Sequence, residues 1–150
     1  MPTQPGLAKA RGYARRYAMQ AVYQWQMTGD EIEVIKRQYI DDNDMNSDTS
    51  NIDKDYYTDL VDGVFTQHAE IDTVLEKYMD RKVLRVDPVE RAIIRVAAYE
   101  LLKRLDVPYR VVINEAVSLT KKFCAEKSHT FINAVLDKVA RELRAQEINT

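Results

Sequence analysis

The sequence predicts an all-α protein of about seven helices, and three observations carry that prediction. Gly and Pro number only four each in 150 residues, so helix breakers are scarce, while the good helix formers Ala, Leu, Arg and Glu are plentiful. Apolar residues recur every three to four positions through most of the chain, the spacing of one buried helix face. No run alternates apolar and polar residues for long enough to make a strand, and no internal repeat of 20–50 residues is present. The length suits one domain able to bury a core without disulfide or metal, read as residues 8–145 between a disordered tail, 1–7, and a polar tail, 146–150.

The first helix is expected over residues 8–27, where Ala14, Ala18, Ala21, Val22 and Trp25 share a face. Gly29 ends it, and Asp30 can cap a shorter helix over 31–40, marked by Ile32, Ile35 and Tyr39. Residues 41–51 are polar, acidic and aperiodic, and read as a loop. Asp53 can cap a third helix over 54–68, with Tyr57, Leu60, Val61, Val64 and Phe65 as its stripe. Ile71, Val74, Leu75 and Tyr78 continue the period as a fourth segment, bent near Ala69. Asp87-Pro88-Val89-Glu90 is a helix start, with Asp87 as cap and Pro88 where a missing N–H costs nothing. The helix it opens, 88–105, is apolar almost all round and therefore expected at the centre. Pro108 ends that segment, a sixth helix follows over 109–123, and a last one begins after Ser128, which is read as its N-cap. Phe131, Ile132, Val135, Leu136, Val139 and Leu143 form its inner face.

A net charge of −2 hides an asymmetry. Residues 1–29 carry Lys9, Arg11, Arg15 and Arg16 and no acid; residues 30–60 carry ten acids against Lys36, Arg37 and Lys54; residues 81–150 carry fourteen bases against nine acids. Such polarity suits an anionic partner on one surface, although charge runs also serve simply to solvate helix faces. The single cysteine, Cys124, forms no internal disulfide and fits a reducing cytoplasm. No apolar run reaches the roughly 20 residues needed to span a membrane, so a soluble protein is expected.

Catalytic chemistry finds little support. His68 and His129 are the only histidines, and the Ser128-His129 neighbours do not make a nucleophile–base pair, which is assembled across a fold with an orienting acid. One cysteine and two distant histidines are a poor metal set, and no Gly-rich phosphate loop is present; neither metal nor cofactor is expected. Nucleic-acid binding is better supported. Arg11 and Arg15 are four apart on the first helix, beside Lys9 and Arg16, with Tyr13 and Tyr17 one face over. Arginines interleaved with aromatics hold phosphates and stack unpaired bases; the alternative is that Tyr17 packs inward and the arginines solvate the helix. Lys121, Lys122 and Lys127 bracket the turn before the last helix, whose first turn offers free N–H groups to an anion. Asn114 and Glu115, set in an apolar helix, read as a structural polar pair, and Asp137 as an ion-pair partner.

The motifs Val107-Pro108-Tyr109, Ile113-Asn114-Glu115-Ala116, Phe123-Cys124, Ser128-His129, Phe131-Ile132-Asn133 and Val135-Leu136-Asp137 resemble those of the NusB transcription antitermination factors. So do Ala14-Arg15, the run Ala18-Met19-Gln20-Ala21-Val22-Tyr23-Gln24-Trp25-Gln26 and the central run from Val89 to Leu101. The resemblance spans nearly the whole chain. It implies two packed helical subdomains and a non-enzymatic role: binding the boxA element of nascent, chiefly ribosomal, RNA with the ribosomal protein NusE, in a complex that lets RNA polymerase pass terminators. It also implies that Arg11 and Arg15 lie on one RNA-contacting segment, that Lys127, Ser128 and Phe131 lie on a second, and that Tyr23 and Glu90 lie near the NusE face. The family often has Gly where Cys124 and Ala134 stand, and an acid where Lys127 stands. Two other readings stay open. One is a module related to rRNA cytosine methyltransferases, which would need a catalytic domain in addition; the other is a homodimer that hides its RNA face.

Overall fold

The computed structural model describes residues 5–44 and 52–150. Seven α-helices make up the described residues: α1 (Pro5–Thr28), α2 (Ile32–Asp44), α3 (Lys54–Glu76), α4 (Pro88–Lys103), α5 (Tyr109–Phe123), α6 (Ser128–Leu143) and α7 (Ala145–Ile148), with a 3-10 turn at Val83–Arg85 before α4. Local chemistry places several ends. The Asp53 carboxylate accepts the Tyr56 N–H at 3.0 Å and opens α3. Asp87 accepts the N–H groups of Val89 and Glu90, with Pro88 at the first helical position of α4. Gly29 takes φ +70, a conformation costly for a side chain, and its N–H closes α1 on the Trp25 carbonyl at 2.9 Å.

Elsewhere the structure corrects the expected boundaries. Asp30 does not cap α2: its N–H donates to the Thr28 hydroxyl, and the Glu31 carbonyl accepts the first helical bonds, from Val34 and Ile35. The third and fourth segments are one helix, α3, broken at Gln67 (φ −117, ψ 17), two residues before the expected bend. Ser128 is the first residue of α6 rather than its cap; Lys127 holds the cap position without a side-chain bond. Residues 5–7 belong to α1 and 41–44 to α2, so the expected tail and loop are both shorter; the remainder, 1–4 and 45–51, lies outside the described residues. Residues 145–148 of the C-terminal stretch form α7, held by Glu147, whose carboxylate accepts the Tyr109 N–H at 2.9 Å and pairs with Arg144. No helix among the described residues is long and apolar enough to cross a membrane.

The two halves meet on α4. Its residues from Ala92 to Leu101 are buried on every side, with α1 and α3 packed on one flank and α5 and α6 on the other. Ala14, Ala18, Ala21 and Val22 of α1 are buried, and so are Leu60, Val61, Val64, Ile71 and Leu75 of α3. A helix so enclosed still has end carbonyls to satisfy. Arg144, at the end of α6, does this for α4: its buried guanidinium donates to the carbonyls of Glu100, Leu101, Arg104 and Val107 at 2.8–3.1 Å. On the opposite flank Tyr99 lies flat over Gly63, where an added Cβ would stand 2.1 Å from the ring, and its hydroxyl donates to Asp59 at 2.7 Å.

Gly63→Ala is expected to lower unfolding stability by about 1–3 kcal/mol, because the Tyr99 ring can move only by breaking its Asp59 bond. Urea denaturation checks this: the midpoint should fall with an unchanged slope.

Candidate nucleic-acid interface

Successive residues of a helix are turned by about 100°, so α1 presents its basic residues in two directions. Arg11 and Arg15 share the inward one. Arg15 is 4% exposed; its Nε lies 2.9 and 3.0 Å from the two oxygens of Glu100, and its Nη1 lies 3.3 Å from Glu115. The Tyr56 hydroxyl donates to the same Glu100 carboxylate at 2.5 Å, and the Arg15 guanidinium sits 5.4 Å from the Tyr56 ring centre. Burial alone would lower the Arg15 pKa, but the Glu100 hydrogen bond and charge offset this and raise it. Burial, then the Glu100 charge, pushes the Tyr56 hydroxyl well above the ordinary phenol value. Arg11 spans Asp53 (3.6 Å) and Asp106 (3.7 Å) and stacks 4.4 Å over the Tyr56 ring. The expectation that Arg15 meets a phosphate is therefore corrected, since its face locks α1 to α4; Arg11 shares that face as expected but stays partly exposed, with its side chain 25% accessible.

Lys9, Tyr13 and Arg16 share the outward direction. With Glu115, Leu119 and Lys122 of α5 they line a groove of about 290 Å³. Lys9 Nζ stands 5.9 Å from the Tyr13 ring centre, and the Arg16 guanidinium 5.2 Å from that of Phe123, at the end of α5. Lys122 thus brings the second basic cluster into the same groove as Lys9 and Arg16, which lie more than 100 residues before it; Lys121 and Lys127 are exposed on α5 and on the turn after it. Tyr17 is half-buried against the core, the inward alternative.

The turn into α6 follows Phe123. Cys124 is extended (φ −123, ψ 174), and no described residue other than Gly29 has positive φ; the replacement of the family's glycine by cysteine meets no backbone strain. The Cys124 thiol is pushed up to about 11 by burial and by the charges of Glu90 and Asp87, so it is protonated at neutral pH and a poor nucleophile. Ser128 turns its side chain to Glu90. Phe131 is half-buried, with the Arg81 guanidinium 5.0 Å from its ring centre. Arg81 was not singled out from sequence, and neither was the role of Phe123; Arg81 lies in an aperiodic turn 50 residues before Phe131, so no spacing relates them. Glu90 is half-buried, and burial followed by the Asp87 charge raises its pKa, against the opposing effect of Ser128. Tyr23 is exposed on α1. Gln26, three residues on, donates to the Pro88 carbonyl at 2.9 Å, which brings the α1 stretch carrying Tyr23 to the first turn of α4, carrying Glu90.

The remaining candidates are structural. His68 and His129 each set Nδ1 against the carbonyl three residues back, 2.9 Å from Phe65 and 3.0 Å from Glu126. Glu115 is half-buried on Arg15 while Asn114 is exposed, so they do not act as a pair. Asp137 pairs with Arg141 within α6 at 3.0 Å. Among the described residues no group of three or more His, Cys, Asp or Glu is placed to hold a metal.

Comparison with known proteins follows the same lines. The sequence pattern of the NusB family matches residues 13–141. The transcription antitermination protein NusB of Teredinibacter turnerae is 48% identical over 143 residues, covering 95% of each chain. That of a Marinomonas species is 44% identical over 144 residues, covering 96% of this chain and 82% of its own. Among solved structures, NusB of T. maritima superposes with a TM-score of 0.76 at 28% identity, covering 88% of this chain and 91% of that one. A chain from the crystal structure of antitermination factors NusB and NusE in complex with dsRNA superposes with a TM-score of 0.78 at 27% identity, covering 89% and 98%.

Two outcomes are expected. Arg15→Ala strands the buried Glu100 carboxylate and should cost about 3–5 kcal/mol of stability, read by urea denaturation; a loss of RNA affinity with stability unchanged would refute this placement. Glu90 binds its proton more tightly in the folded chain than in the unfolded one, so its contribution favours folding at low pH and is lost as pH rises through its folded-state pKa. Glu90→Gln is uncharged throughout, and its stability relative to the parent should therefore rise over that window in a pH series of melts.

Proposed function

Because the chain belongs to the NusB family, we propose that it is a bacterial transcription antitermination factor that acts by binding rather than by catalysis. It takes the boxA element of nascent ribosomal RNA transcripts together with the ribosomal protein NusE, and it forms part of the cytoplasmic complex that lets RNA polymerase pass terminators. The observation that carries this reading is the single face on which Lys9, Tyr13, Arg16, Lys122 and Phe123 converge from α1 and α5. Lysines and arginines there attract phosphates and release counterions, while Tyr13, Phe123 and Phe131 offer rings to unstacked bases. Lys121, Lys127 and Ser128 extend the face along the α5–α6 turn. Tyr23 and the half-buried Glu90, at the neighbouring ends of α1 and α4, offer the surface for NusE. A partner seated there adds contacts and reduces the ordering cost of the RNA, so binding with NusE should be much tighter than without it.

The test is a titration of boxA-containing single-stranded RNA and a scrambled control at fixed salt, with and without NusE. A boxA preference that depends on NusE supports the reading, and equal binding of both RNAs in both conditions refutes it. Lys9→Ala, Arg16→Ala and Lys122→Ala should each weaken RNA binding without unfolding the protein. Each removed phosphate contact should reduce the slope of log affinity against log salt by about 0.7.

A further inference from the structure

A second concavity, of about 610 Å³, opens between the end of α1, the start of α2 and the middle of α3. Its apolar wall is aromatic. Trp25 meets Phe65 edge-on, with ring centres 5.5 Å apart, and meets His68 at 5.3 Å. The buried Arg95 guanidinium stands 6.0 Å from the Trp25 ring centre and is itself held by Asp72 at 2.7 Å. Phe65 nevertheless remains 38% exposed. A large aromatic pair already held in place and still open to solvent is the kind of surface that anchors a protein partner. The rim has one sign of charge: Asp30, Glu31, Glu33 and Asp62 line it, against one ammonium, Lys36, which lies 2.8 Å from Asp62 and 3.1 Å from Glu33.

We propose that this notch docks a cationic protein segment, seating one apolar side chain on Trp25 and Phe65 between flanking lysines or arginines. Four carboxylates against one ammonium repel a phosphate backbone, so the occupant is not the RNA. Trp25 is turned about 200° around α1 from Tyr23, so a protein bound at Tyr23 leaves the notch free. The notch would therefore attach a further basic protein, and the inference stands independently of the RNA-binding reading.

Trp25 is the only tryptophan of the chain, so intrinsic fluorescence reports on the notch directly. The probe is a synthetic Lys/Arg-rich peptide that lacks tryptophan and carries one central leucine, titrated into the full-length protein. A saturable change in Trp25 emission is expected, with affinity falling as salt rises. Binding should weaken by about tenfold when the leucine is replaced by alanine, and likewise in the Phe65→Ala and the exposed Asp30→Lys/Glu33→Lys variants, with circular dichroism confirming their fold. No saturable change, an equal response to a glutamate-rich counterpart peptide, or undiminished binding by the charge-reversed variant overturns the proposal. The boxA titration is read separately, so either proposal can fail alone.

Discussion

The ion pair between Arg15 and Glu100 is the contact on which the rest of the molecule depends. Two opposite charges have been taken out of water into the seam between α1 and α4, where each alone would be strongly unfavourable. Their desolvation is offset because Nε reaches both Glu100 oxygens, Tyr56 donates to the same carboxylate, and Glu115 takes a further guanidinium N–H. Such an arrangement tolerates no rotation of α1 about its axis. With Arg15 turned inward, Lys9, Tyr13 and Arg16 must face α5 and solvent, so an interior contact decides which α1 side chains line the groove.

The same use of arginine recurs around α4. Arg144 satisfies the carbonyls at its C-terminal end, Arg95 joins it to Asp72 of α3 and Gln26 of α1, and Arg104 lies 3.5 Å from Asp59 and 4.8 Å from the Tyr56 ring centre. A helix apolar on all sides could pack in several rotations about its axis; directional polar contacts at both ends and in the middle select one. This rigidity suits the binding role proposed above, since side chains held in place before binding lose less freedom when a partner arrives.

The outer surface is divided by charge. The groove between α1 and α5 is basic and aromatic, whereas the notch at the other end of α1 is acidic and aromatic. Arg16 of the groove and Trp25 of the notch are nine residues apart on α1, about 14 Å at the usual rise, which exceeds the Debye length of about 8–10 Å under ordinary ionic conditions. The two fields are therefore partly screened from one another, which leaves room for the two proposed partners of opposite charge on one helix.

Local chemistry was legible in the sequence. Asp53 and Asp87 cap the helices they were expected to cap, Gly29 ends α1, the encircling apolar pattern of α4 marks the centre, and the family motifs assign the chain to its relatives. What the sequence could not reveal was direction around each helix. Arg11, Arg15, Lys9 and Arg16 are chemically alike and lie within eight positions, yet Arg15 is buried, Arg11 is half-buried beside carboxylates, and Lys9 and Arg16 line the groove; the difference is set by Glu100, Asp53 and Asp106, which approach only when the helices pack. The contact of Arg81 with Phe131, the hold of Arg144 on α4, and the groove that Lys9 and Lys122 share likewise join residues far apart in the chain. Periodicity reports which residues share a face, because that follows from helix geometry alone. Which face is buried, where buried charges find their partners, and which basic residues remain at the surface were decided only by tertiary packing, since the energy of a charge depends on the groups brought beside it.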